Sequence, residues 1–228
     1  MLREDGICYD DGTTARLAED HFVMTTTTAN AVLVYRNMEF ARQCLFPDLD
    51  VHLISTTDQW AQFAIAGPKS RDVLSKIIDK VDMSNDGFPF MACSDVTVCG
   101  GTPGRLFRIS FSGELAYEVA VPARYGDALI REIMAAGEEF DITPYGTEAL
   151  GVMRIEKGHV TGAELNGQMT AFNINMNNMV SAKKDSIGSV LSRREVMVAD
   201  NQVRLVGVKT VEKTDSLSSG AHFLAKND

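Results

Sequence analysis

Long apolar runs are missing from this chain of 228 residues. No stretch approaches the roughly 18 residues that a membrane helix needs, which argues against a membrane as partner. A signal peptide is not visible either, because the start, MLREDG, is charged from its third residue. Both the P-loop and the Rossmann fingerprint are absent. The one glycine-rich stretch, GGTPG at 100–104, sits in hairpin context and reads as a turn rather than a phosphate cradle. Cysteine is scarce: Cys8, Cys44, Cys93 and Cys99 show no C-x-x-C spacing, so free thiols in a reducing cytoplasm are the simplest reading. His21, His52, His159 and His222 are scattered, and no metal site is expected. Positive charge is also short. With 22 Lys and Arg against 31 Asp and Glu, the net charge is −9, which argues against nucleic acid or an anionic membrane surface as the main partner.

What is present suits a globular chain of one large domain or two small ones, with 45% hydrophobic residues. GICYDDGTTARL predicts a hairpin entered almost at residue 1 and turning at Asp11-Gly12. HFVMTTTT predicts a strand rich in β-branched threonine. In residues 31–45 the apolar positions 31, 34, 35, 38, 41 and 45 have helical spacing. VHLIST and QWAQFAIAG predict two strands. Gly67-Pro68 then opens a helix whose inner face is Val73, Leu74, Ile77 and Ile78. Residues 82–92 read as a loop, SDVTVCGGTPGRLFRISFSG as a hairpin, and AYEVAVP as the strand closing a small antiparallel sheet. RYGDALIREIMAAGEEF and TEALGVMRIEKG predict helices, the second with Thr147 as N-cap and Gly158 as its stop. Residues 160–182 are polar, asparagine-rich and carry no clear period. DSIGSVLSRREVM predicts a short helix, QVRLVGVKT a strand, and residues from 212 a loosely held tail. The class is α+β, divided as 1–80, 81–182 and 183–228.

Three groups of residues carry candidate chemistry. In YDDG, turn chemistry accounts for Asp11, whereas Asp10 is left over as a proton acceptor or electrostatic anchor. In AYEVAVP, Tyr117, Val119 and Val121 point to one side of a strand and Glu118 to the other. Glu118 either faces water or receives a two-donor fork such as a guanidinium or the amino-pyrimidinone edge of a pterin. Arg154 either pairs on the helix surface with Glu148 or Glu156, or reaches inward. Trp60, Phe107 and Phe111 read most simply as core.

Six segments in register give a resemblance: YDDG…TARLAEDHFVMTTTTANA, AIAGPKSRDVL, FPFMA, RISFSGELAYEVAVP, ITPYGTEAL and MRIEKGH. Together they resemble the folate-binding region of sarcosine oxidase alpha subunits. That region is itself similar to the glycine-cleavage T-protein and to the folate module of dimethylglycine dehydrogenase. The resemblance implies a T-protein-like folate-binding fold, antiparallel sheets with packed helices, truncated at both ends. It implies tetrahydrofolate as cofactor, with FAD, FMN and NAD bound only elsewhere in a hetero-oligomeric oxidase whose other subunits are partners. It also implies transfer of the one-carbon unit of oxidised sarcosine to give 5,10-methylenetetrahydrofolate. Asp10 matches the catalytic aspartate near folate N10, Glu118 the glutamate that holds the pterin, and Arg154 the arginine at the folate site. Phe111 stands where the T-protein pattern has tyrosine, and Thr27 where it has asparagine. Residues 171–179, AFNINMNNM, depart from the family's acidic, glycine-rich stretch. A glycine-cleavage-type aminomethyltransferase, a non-catalytic folate-binding or channelling module, and a purely structural domain stay open beside this reading. A folate-dependent iron–sulfur or tRNA-modification accessory protein is disfavoured, because residues 155–170 lack the cysteine its relatives carry.

Overall fold

The computed structural model describes residues 1–212, 215–218 and 220–223. A short hairpin pairs β1 (Thr14–Arg16) with β2 (Phe22–Met24). Helix α1 (Ala31–Phe40) follows, and its end widens into a π-turn at Ala41–Leu45. The main sheet is antiparallel and five-stranded: β3 (Trp60–Ala66), β4 (Ile78–Asp79), β5 (Cys93–Val98), β6 (Thr102–Phe107) and β7 (Ala116–Pro122), in the order β3-β7-β6-β5-β4. Helix α2 (Ser70–Leu74) connects β3 to β4, and α3 (Gly126–Gly137) follows β7. Helix α4 (Thr147–Lys157) and the four-residue α5 (Glu195–Val198) complete the elements.

Strand alternation builds the core. On one face of the sheet Ile65, Val96, Val98, Leu106, Tyr117, Val119 and Val121 are buried together with Leu74 and with Leu129 and Ile133 of α3. Removing this much apolar surface from water is the main stabilising term. Tyr117 is wholly buried, yet its hydroxyl accepts a hydrogen bond from Arg71 Nε at 3.0 Å, so no polar atom is stranded. The opposite face carries Trp60, Gln62, Arg105, Phe107, Glu118 and Ala120, as the register of β3, β6 and β7 requires. A second cluster joins Cys8 to Val160, Leu165 and Ile174.

Several expectations need correction. Asp11-Gly12 does not turn a hairpin. The turn lies at residues 17–21, closed by Leu17 N–H to the His21 carbonyl at 2.9 Å, and Gly12 lies outside the left-handed region. Glycine is needed there for a different reason, because a β-carbon would collide with the Thr25 carbonyl. Residues 51–56 form no strand, since they find no ladder partner; Val51 and Ile54 are exposed. Thr147 is the first helical residue of α4, and Gly146 occupies its N-cap. In GGTPG the turn ends at residue 101, and Thr102, Pro103 and Gly104 belong to β6. The division between residues 80 and 81 runs through the five-stranded sheet, because β3 and β4 precede it and β5 to β7 follow. Of the tail expected from 212, residues 213, 214, 219 and 224–228 lie outside the described residues.

The asparagine-rich segment has a structural job. Thr170 N–H and hydroxyl both donate to Asn173 Oδ1 at 2.8 Å, closing a local turn. Asn173 Nδ2 then donates to the Val203 carbonyl at 2.8 Å, and Asn175 Nδ2 to the Leu205 carbonyl at 2.8 Å. Residues 202–210, expected as a strand, are instead held at 203–205 by these side-chain amides together with Leu205 N–H donating to the Asn173 carbonyl at 2.7 Å. Asn173→Ala should therefore loosen this segment without unfolding the sheet. Local opening, read as hydrogen exchange around Leu205, should rise about tenfold or more, as about 1–3 kcal/mol for an unpaired buried group implies.

Candidate functional site

The site is assembled from a loop, a strand and a helix end. Asp10 is fully buried. Its Oδ1 accepts the Asp11 N–H at 2.9 Å, and the Thr27 N–H reaches both oxygens at 3.2–3.3 Å. The carboxylate thus clamps the N-terminal segment to the segment entering α1, and it brings Asp10 and Thr27 together through the Thr27 backbone. Asp11, beside it, is half-buried. Burial raises its pKa above the usual carboxylate value, the Asp10 charge adds to this, and the Met1 ammonium partly opposes it.

Helix α4 ends in a left-handed Gly158 (φ 84°), which frees the chain to turn so that His159 N–H donates back to the Arg154 carbonyl at 2.9 Å. The imidazole stacks on Phe111, with ring centroids 5.7 Å apart and planes 22° off parallel. Its Nδ1 lies 2.9 Å from the Phe111 carbonyl. A carbonyl can only accept, so Nδ1 carries the proton and fixes the tautomer. Arg154 reaches inward. Its Nη1 donates to Glu164 Oε1 at 2.8 Å and to the His159 carbonyl at 3.2 Å, while its buried Nε has no partner. Burial pushes the Glu164 carboxyl up, but hydrogen bonds from Arg154 and Thr161 outweigh it and hold the pKa below the usual value. Neither Glu148 nor Glu156 pairs with Arg154. Phe111 is not core: the residue is 37% exposed, in the loop before β7.

Glu118 projects from the second face of β7, half-buried. Gln62, diagonally across on β3, donates its side-chain amide to Glu118 Oε2. Burial raises the Glu118 pKa and the Gln62 hydrogen bond partly offsets this. Tyr145, just before α4, has its phenol pKa raised by burial and by the Glu118 charge. The structure therefore brings the expected site residues together in three sets: Asp10 with Thr27, Phe111 with Arg154 through His159, and Glu118 with Gln62 and Tyr145.

Sequence reasoning did not single out Gln62, Tyr145, His159 or Glu164. His159 ends the MRIEKGH segment and Gln62 lies two residues before the start of AIAGP, but nothing in either position alone marks its contacts. The surface hollows beside α3 (Met134, Glu138, Ile142) and along β4 and β5 (Lys80, Asp95, Thr97) are lined by none of the expected site residues. No cluster of three or more His, Cys, Asp or Glu able to hold a metal ion occurs among the described residues, and no described helix is long and apolar enough to cross a membrane.

Comparisons with known proteins bear on this arrangement. Residues 1–184 match the family described as the GCVT N-terminal domain. The chain is 53% identical over 228 residues to the sarcosine oxidase subunit alpha of Rhizobium meliloti (strain 1021), covering 99% of the chain and 23% of that protein. It is 27% identical over 171 residues to the aminomethyltransferase of Thermoanaerobacter sp. (strain X514), covering 75% of the chain and 45% of that protein. The chain thus spans about a quarter of the first relative and less than half of the second. The crystal structure of the glycine cleavage system aminomethyltransferase T from Bartonella henselae superposes with a TM-score of 0.72 at 19% identity, over 86% of this chain and 51% of that one, a likeness of fold. The α+β architecture of antiparallel sheets and packed helices is accordingly the T-protein fold, and the chain belongs to the GCVT N-terminal domain family.

Proposed function

We propose that this chain is the tetrahydrofolate-binding domain of a sarcosine oxidase alpha subunit, serving the transfer of a one-carbon unit from oxidised sarcosine to give 5,10-methylenetetrahydrofolate. The observation that carries the reading is Glu118: a half-buried carboxylate on a core strand, its ionised form disfavoured by burial and supplied, among the described residues, with a single protein hydrogen-bond donor, Gln62. Such a group is suited to a ligand that brings two more donors on one edge, as a pterin ring does. The remaining residues fit the same ligand. Phe111 offers an exposed aromatic surface for a flat ring, and Arg154 has a buried Nε with no partner beside it. The name of the Rhizobium relative supports the choice of enzyme; in this reading the oxidation of the amine, with FAD, FMN and NAD, takes place elsewhere in the hetero-oligomeric oxidase. The four cysteines are free among the described residues, which suits a cytoplasmic setting.

Tetrahydrofolate, when bound, supplies the two nitrogens, N5 and N10, that take up the one-carbon unit. Glu118 orients the pterin edge, the Phe111–His159 stack supports the ring system, and Arg154 contributes fixed positive charge. Asp10 contributes a fixed negative charge where cationic character develops, a kind of preorganised electrostatic help that needs no movement during reaction. One observation favours a second reading, binding and channelling without catalytic assistance. Asp10 has no solvent exposure, and its carboxylate is already engaged by backbone N–H groups.

Glu118→Gln tests folate binding, and Asp10→Asn separates the two readings. In calorimetric titrations with a reduced folate, Glu118→Gln should cost about 2–5 kcal/mol of binding, the range for breaking one side of a buried charged pair. The same variant should stabilise the ligand-free chain. The folded-state pKa of Glu118 lies above its unfolded value, so its contribution to stability is full at low pH and is lost as pH rises through the folded value. The variant should therefore melt higher than the parent at about pH 8 and similarly at about pH 4. Asp10→Asn in the complete enzyme should slow methylenetetrahydrofolate formation by about 10²-fold or more while folate still binds. Formation at the parental rate would favour the channelling reading.

A further inference from the structure

We infer that Gln62 is a positioning residue of the folate site, which locks the Glu118 carboxylate in the orientation that accepts the pterin edge. The inference rests on the folate assignment of Glu118 made above and extends it to a neighbour on a different strand.

The geometry is set by the sheet. Gln62 pairs with Ala120 and Glu118 with Ala64, so the two side chains sit diagonally on the same face of β3 and β7. Diagonal neighbours on an antiparallel pair are within reach for long side chains. An ionised carboxylate has no proton to give, so the Gln62 NH₂ must point at Glu118 Oε2 and its carbonyl away. One glutamate oxygen is thereby tied to the sheet, and Oε1 is left without a protein donor among the described residues. A free glutamate side chain has several rotamers; one whose Oε2 is held has far fewer, so less order must be imposed when the ligand docks. Gln62 itself is exposed on the edge strand, where it is accessible to a ligand and carries no core packing.

No charged group among the described residues takes this role. Arg105, on the same face of β6, lies over the Trp60 ring at 4.0 Å and faces Asp95 at 3.6 Å. Tyr145, before α4, is the titratable neighbour that senses the Glu118 charge, and its raised pKa keeps it neutral where carboxylates titrate. Gln62 is therefore the donor that favours the ionised form of Glu118, against the burial that disfavours it.

The test is the pH profile of reduced-folate binding, with 5-formyltetrahydrofolate as the probe, for Gln62→Leu, Gln62→Lys and Glu118→Gln. Circular dichroism melting of each variant confirms that it folds. Gln62→Leu removes the donor, so the acid-side loss of affinity should begin at higher pH. Binding should be about tenfold weaker than the parent's at about pH 6, the size expected for one hydrogen bond to a charged group, with the gap narrowing at about pH 8.5. Gln62→Lys restores a donor with added charge and should move the profile the opposite way. A merely structural role would make the two variants behave alike. If Glu118→Gln abolishes binding while both Gln62 variants keep the parental profile, the inference is wrong and the folate assignment stands. If Glu118→Gln binds as the parent does, the folate assignment fails and takes this inference with it.

Discussion

Period-two alternation along β7 is the constraint on which the rest of the structure depends. Tyr117, Val119 and Val121 must face α2 and α3 to close the main core, and a shift of one residue would turn all three into solvent. With the core face committed, Glu118 has nowhere to point but the second face. There it is half-buried, with burial working against its charge. The same residues that stabilise the sheet therefore hold a carboxylate in a place where it is costly, and a costly, under-partnered polar group is the hallmark of a site rather than of a scaffold.

The chain draws pieces from distant parts of the sequence into separate sets. β3 contributes Gln62, the loop before β7 contributes Phe111, and the C-terminal end of α4 contributes Arg154 and His159. Each is fixed by a local feature: the antiparallel register, the left-handed Gly158, or the side-chain pairing of Arg154 with Glu164. Asp10 belongs to a different kind of structure. Two backbone N–H groups hold it, and it ties the segment ahead of β1 to the segment ahead of α1. Its charge acts from a fixed position, which distinguishes it from Glu118, whose free oxygen is open to a ligand.

The segment that departs from the family pattern illustrates how composition and role can diverge. AFNINMNNM looks irregular as a sequence, with no period and many amides. In the fold those amides reach across to residues 203–205 and satisfy their carbonyls. A local oddity of composition is thus accounted for by hydrogen bonding to the backbone at a distance.

Much of this was legible in the chain itself. The alternation in AYEVAVP, the helical spacing of α3 and α4 and the glycine stop at 158 follow from local geometry, and each recurs in the structure. Placing Glu118 on the face opposite Tyr117 needed only the two-residue period of a strand. The turn at Asp11-Gly12 and the strand at 51–56 were not determined locally. Gly12 is required by the approach of Thr25, and residues 51–56 lack a neighbour to pair with. The choice of Glu164 over Glu148 or Glu156 as the partner of Arg154, the exposure of Phe111, and the contact between Gln62 and Glu118 were likewise settled by tertiary packing. Periodicity is written in near neighbours, whereas a hydrogen bond across 56 residues exists only once the sheet has brought its ends together.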